Sequence, residues 1–116
     1  MAKFILIAYD AADFGGDITP DEMQAIIARY MAWTGDLAQR GKLVLGEKLA
    51  DGGGKTVTKS GGSIAVADGP FTEAKEVIGG FWIVECADEA EAIAIAASCP
   101  HAEHARVGVQ PIEAVG

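Results

Sequence analysis

The chain has 116 residues, half of them hydrophobic, and a formal charge of −8. That length suits a single domain over 1–116 with a core that holds without staples, and no Pro/Ser linker or long charge run divides it. The acidic balance opposes attraction to nucleic-acid phosphates or anionic lipid, and the first apolar run is too short for a signal peptide or membrane span. Neither nucleic acid nor a membrane is therefore an expected partner.

Residues 4–9 form a continuous apolar run rich in strand formers, closed by Asp10, Asp13 and Gly15-Gly16, and read as a buried strand. Thr19-Pro20-Asp21-Glu22 combines a capping box with Pro at the first helical position, so two start signals agree on one helix origin. From there Met23, Ile26, Ile27, Tyr30, Met31, Thr34, Leu37 and Ala38 make an apolar stripe up to Gly41, with Trp33 beside it. Residues 43–49 read as a second strand, broken by Asp51-Gly52-Gly53-Gly54. Residues 56–58 and 63–67 flank Ser60-Gly61-Gly62 as a β-hairpin does, and Gly69-Pro70 then leaves Asp68 at a strand terminus. Residues 77–87 are the strongest strand after the first. Asp88-Glu89-Ala90-Glu91 is an acidic helix start, and the helix up to Ser98 is almost all Ala and Ile, small enough to pack close to a sheet. Cys99-Pro100 stops it, and residues 105–112 make a last strand.

The order is βαββαβ with a β-hairpin inserted between the second and third core strands. Its simplest packing is α+β, with two helices on one face of an antiparallel sheet. Strands 4–7 and 81–84 carry apolar residues on both sides, so the opposite sheet face needs cover, and a second copy in a symmetric homodimer is the expected cover. Cys86 and Cys99 have no CxxC spacing and lie in apolar or small-residue surroundings, which fits buried free thiols in a reducing cytoplasm.

Asp68-Gly69-Pro70-Phe71-Thr72-Glu73-Ala74-Lys75-Glu76, followed by Gly79-Gly80-Phe81-Trp82, the acidic start at 88–91, and Cys99-Pro100-His101 through to Pro111-Ile112 together resemble the YCII-related family, in its branch marked by an Asp-Gly-Pro-Phe motif. The resemblance spans nearly the whole chain. It implies a ferredoxin-like domain that dimerises into an α/β barrel, in a superfamily holding small isomerases, monooxygenases and members without known activity. Some proteins of this branch are encoded beside extracytoplasmic-function sigma factors, which makes a sigma factor an implied partner. Two departures stand out. Better-understood relatives pair an early His beside the first strand with an Asp for acid/base work, and here no His precedes position 101. The Arg that the family pattern carries before the final Pro is Gln110 here, leaving Arg106 as the nearest guanidinium.

Several residues invite chemistry, each beside a plainer role. Asp68 is a candidate general base, or the cap of the Gly69-Pro70 turn. His101 is its candidate proton partner, or an exposed loop residue. Glu73, Lys75 and Glu76 offer a charged rim with Lys75 facing a substrate anion, or a solvated loop. Trp33, Phe71, Trp82 and Tyr9 suit a cleft for a flat ligand, or core and dimer packing. His101 and His104, with Glu103 between, would need a helical turn and a third ligand to hold a metal, and Pro100 argues against that turn, so no metal or cofactor is assigned. The glycines at 52–54 lack the Gly-Lys-Ser/Thr of a phosphate loop, and no nucleophilic triad is spelled out. Two functional readings follow. One is a small-molecule cleft bounded by Asp68, Phe71, Trp82 and His101, with Arg106 nearby, performing cofactor-free proton transfer of an isomerase or lyase type. The other is a non-catalytic ligand-sensing or protein-interaction module tied to sigma-factor or stress regulation.

Overall fold

Along strand β1 (Ala2–Ala11) the residues Phe4, Leu6 and Ala8 are buried while Ile5, Ile7 and Tyr9 between them are half-buried, the period of two that a central strand imposes. The computed structural model describes residues 1–11, 18–50, 52, 54–68 and 76–114. Strand β1 pairs antiparallel with β5 (Glu76–Cys86) on one side and β6 (Arg106–Pro111) on the other. With β2 (Leu43–Lys48) outside β5, the sheet order is β2-β5-β1-β6. Helices α1 (Pro20–Gln39) and α2 (Glu89–Ser98) pack on the same face. Strands β3 (Lys55–Ser60) and β4 (Ser63–Asp68) form a separate two-stranded sheet, so the architecture is α+β and ferredoxin-like with an inserted hairpin. Strand β1 continues two residues past Tyr9, the end of its apolar run, and this extension carries Asp10 into the sheet.

Both helix starts are capped as the sequence indicates. Thr19 Oγ1 accepts the Glu22 N–H at 3.1 Å, and an Asp88 carboxylate oxygen accepts the Glu91 N–H at 2.9 Å. Glu91 reaches back to the Ala87 N–H at 2.7 Å and pairs with Lys42 at 3.0 Å. The Ala87 N–H first, and Lys42 second, hold the Glu91 carboxyl below the usual carboxylate range.

The two helices meet the sheet differently. Ala92, Ile95 and Ala96 of α2 lie in the core with Phe4, Leu6, Val84 and Cys86, because small side chains let the helix approach closely. Helix α1 adds only Leu37 to that buried set. Trp33 packs against the core and donates from Nε1 to Ser98 Oγ at 2.9 Å, so it belongs to the packed face and not beside it. Ile27 and Met31, read as part of the stripe, remain exposed.

On the sheet face away from the helices, Ile5, Ile7, Phe81 and Ile83 are half-buried, so these strands do carry apolar residues on both sides. The hairpin places Val57, Ile64 and Val66 on one of its faces, 62–67% exposed. Both cysteines are free and buried, as expected, and burial raises both thiol pKa values. Among the described residues, no helix is long and apolar enough to cross a membrane.

Candidate functional site

After α2 stops at Cys99, a 3-10 turn over Pro100–Glu103 carries His101 inward, where it is 4% exposed. Its ring joins three elements. Nε2 lies 2.7 Å from the Tyr9 carbonyl oxygen on β1, and Nδ1 lies 2.8 Å from Tyr30 Oη on α1. A carbonyl only accepts, so Nε2 carries the proton, and Nδ1 then accepts from the Tyr30 hydroxyl. Burial first, and then nearby Cys99 and Asp10, push the Tyr30 hydroxyl pKa well above its ordinary value, which keeps it protonated for that role.

Asp10 supplies the site's carboxylate. Its Oδ1 stands 3.3 Å from His101 Nε2, is buried, and has no hydrogen-bond partner among the described residues. The Nε2–H is directed to the Tyr9 carbonyl, which explains how so close an oxygen stays without a bond. Such an oxygen is costly unless something else satisfies it. The sheet makes room for it. Pairing between β1 and β5 slips between Ala8 and Tyr9, leaving Gly79 as the extra residue, and a Cβ at Gly79 would stand 2.0 Å from Asp10 Oδ2.

Asp10 and His101 edge a cavity of about 590 Å³ between α1 and the sheet. Met23, Ile26, Ile27 and Met31 line its helix side, and Ala8, Gly80 and Trp82 line its floor. The Trp82 indole lies across Gly46 of β2, where a Cβ would meet its Cδ1 at 2.5 Å. Tyr30 is nearly parallel to Trp82, with planes 9° apart and centroids separated by 6.3 Å, and Trp33 meets Trp82 edge-on at 5.0 Å. The result is a largely apolar cavity with Asp10 and His101 at its edge and Glu47 and Lys48 of β2 also in its lining.

The structure brings together part of the set expected from sequence. His101 and Trp82 line the cavity, and Trp33 braces Trp82 from the side. Asp68 is not beside His101: it ends β4 in the hairpin, its side chain 90% exposed and paired with Lys55. Arg106 lies on the sheet face away from the helices, over the Tyr9 ring at 4.2 Å from its centroid and paired with Glu76. Phe71 and Lys75 lie outside the described residues. Sequence reading missed Asp10 and Tyr30. The signal for Asp10 was present, since an acid directly after an apolar strand keeps the alternation of buried positions at 4, 6 and 8. Tyr30 was hidden in the apolar stripe, where a ring with a polar tip looks like any core aromatic.

A family model for the YCII-related domain matches residues 2–114. The chain belongs to the YCII-related family. No curated protein matches this YCII-related chain. Among solved structures, it is similar to the 5-chloro-2-hydroxyhydroquinone dehydrochlorinase of Burkholderia phenoliruptrix AC1100 in complex with 2,5-dihydroxybenzoquinone. That alignment has 20% identity and a TM-score of 0.48, and covers 97% of this chain and 95% of the other.

Proposed function

We propose that this YCII-related protein binds a small, largely apolar molecule in the cavity and moves a proton on it, with Asp10 as base and His101 as its partner. The observation that carries this reading is the buried Asp10 Oδ1, which lacks a hydrogen-bond partner among the described residues and stands 3.3 Å from His101 Nε2 at the edge of an apolar chamber. A ligand's O–H, or an activated C–H, placed against that oxygen gives up its proton to the carboxylate. Return of the proton to another atom of the same molecule completes an isomerisation, while expulsion of a leaving group completes a lyase step. The Tyr9 carbonyl holds the imidazole in the Nε2–H form while the Tyr30 hydroxyl donates to Nδ1, which fixes the ring with Nε2 3.3 Å from the carboxylate. Asp10 takes the place first given to Asp68, which stands in the hairpin against Lys55.

The test is a thermal-shift screen of small phenols and hydroxy-ketones. A true ligand at 100 times its Kd stabilises the fold by about 2.7 kcal/mol. Hits lost in Asp10→Asn, in a variant that melts close to wild type, support the reading. Hits retained at full affinity in Asp10→Asn sink it.

A second reading rests on the hairpin. Val57, Ile64 and Val66 expose an apolar face on a two-stranded sheet, and such sheets are marginal without a packing partner. That supports a protein contact, with a second copy in a homodimer or a sigma factor as occupant. Sedimentation distinguishes self-association from a pull-down partner at native expression levels.

A further inference from the structure

Two imidazoles and a carboxylate converge where Asp10 and His101 edge the cavity. One donor atom each from Asp10, His101 and His104 lies within 4.8 Å of the others. Local geometry explains why. The turn after α2 is a 3-10 turn with about three residues per turn, so side chains three apart eclipse on one side. The His101 and His104 rings are accordingly 5.0 Å apart. The extension of β1 past Tyr9 supplies the third member, Asp10, whose buried Oδ1 has no hydrogen bond from the described residues. Sequence reading asked for a helical turn and a third ligand, and the 3-10 turn and Asp10 answer both.

We propose that Asp10, His101 and His104 form a binding site for a divalent first-row transition-metal ion. One carboxylate and two imidazoles suit ions of the Zn²⁺, Fe²⁺ and Mn²⁺ type, whereas Ca²⁺ and Mg²⁺ favour all-oxygen sets. Metal–ligand bonds of about 2.0–2.2 Å draw donors closer than they now stand. His104 is the exposed member of the three, and its ring completes the set from the solvent side.

His101 has a route to ligation that conserves protons. Nε2 faces Asp10 and now carries the proton given to the Tyr9 carbonyl. Transfer of that proton to Nδ1 frees Nε2 for the ion at the cost of its bond to the Tyr9 carbonyl, whose oxygen 2.7 Å away then also faces the ion. Nδ1–H then donates to Tyr30 Oη, the same contact with donor and acceptor exchanged. Tyr30 thereby orients the imidazole in either state. The inference goes beyond the proton-transfer reading and does not depend on it, although an ion there would face the polar end of a cavity ligand.

The experiment is calorimetric titration of chelator-treated protein with Zn²⁺, alongside Co²⁺ titration followed by its visible d–d bands. The expected result is one ion per chain, with a band pattern that includes imidazole coordination. Tyr30→Phe should weaken binding roughly 10–100-fold, as loss of an outer partner does, and His104→Ala and Asp10→Asn should weaken it at least as much. His104 is exposed, so its variant should stay folded, which circular dichroism checks. Failure of wild-type protein to take up either ion, or unchanged uptake in His104→Ala, overturns the proposal. Screening phenols against the chelator-treated protein keeps the two ideas apart, because Asp10-dependent ligand binding without metal leaves the proton-transfer reading standing when the metal site fails.

Discussion

A Cβ on Gly79 would stand 2.0 Å from Asp10 Oδ2, so the glycine is what lets that carboxylate sit at the edge of the cavity. Gly79→Ala should push the carboxylate out of its niche. The expected cost is about 1–3 kcal/mol in urea unfolding, the range for overpacking, together with weaker binding of any ligand that depends on Asp10. Full ligand affinity in this variant would mean that Asp10 is not the contact.

Tyr30→Phe leaves a buried acceptor, His101 Nδ1, without its donor, and should destabilise the fold by about 1–3 kcal/mol near neutral pH. The alkaline limb gives a second readout. Burial raises the Tyr30 pKa, so its contribution to stability is complete below the unfolded value of about 10 and is lost as pH rises toward the folded value. Wild-type stability should therefore fall over that alkaline window by more than that of Tyr30→Phe, and a late phenolate absorbance step should vanish in the variant.

Gly46→Ala should move Trp82, because the added methyl meets Cδ1 at 2.5 Å. Since Trp33 packs edge-on against the same indole, tryptophan emission should shift and the chamber should change shape. An unchanged emission spectrum and unchanged ligand affinity would show that the strand, not the ring, gives way.

The start of α2 predicts acid behaviour. Asp88→Ala should cost about 1 kcal/mol by removing the cap on the Glu91 N–H. Glu91 has a folded pKa lowered by the Ala87 N–H and Lys42, so its stabilising effect is present above the unfolded value of about 4.3 and fades as pH falls through the lower folded value. Chemical denaturation across that acid window should show a shallower decline for Glu91→Gln than for wild type.

Sedimentation of the purified chain should give the mass of two copies, since both the outer sheet face and the hairpin carry uncovered apolar residues. Val57→Lys with Val66→Lys tests the hairpin's share. A single-chain mass for wild type at micromolar concentration removes the basis for the dimer.

Most of the architecture was legible because its signals are local. Thr19-Pro20 and Asp88 mark helix starts by capping chemistry, the Ala/Ile helix announces close packing, and Gly61-Gly62 adopts the positive φ of a hairpin turn. The site was legible only in part. His101 and Trp82 line one cavity, but the carboxylate beside His101 comes from a residue 91 positions earlier in the chain, fixed by strand pairing and the slip at Gly79. Nothing in the Asp68 motif shows that β3 and β4 leave the main sheet, because strand alternation looks the same in a hairpin that stands apart. Trp33 looked peripheral because a helical stripe has a width that spacing alone does not define.

Helix α1 buries Leu37 near one end and leaves its opening turns resting on a hollow, while α2 is set into the core. The two helices are unequal: α2 is set in the core and stands outside the cavity, whereas α1 roofs the cavity and is tied to the turn after α2 by the Tyr30–His101 bond. Helix α1 therefore meets the sheet through aromatic side chains, Tyr30 and Trp33 against Trp82, more than through fully buried aliphatic ones. The imidazole at the cavity's edge is therefore also a tie that joins its roof to its floor.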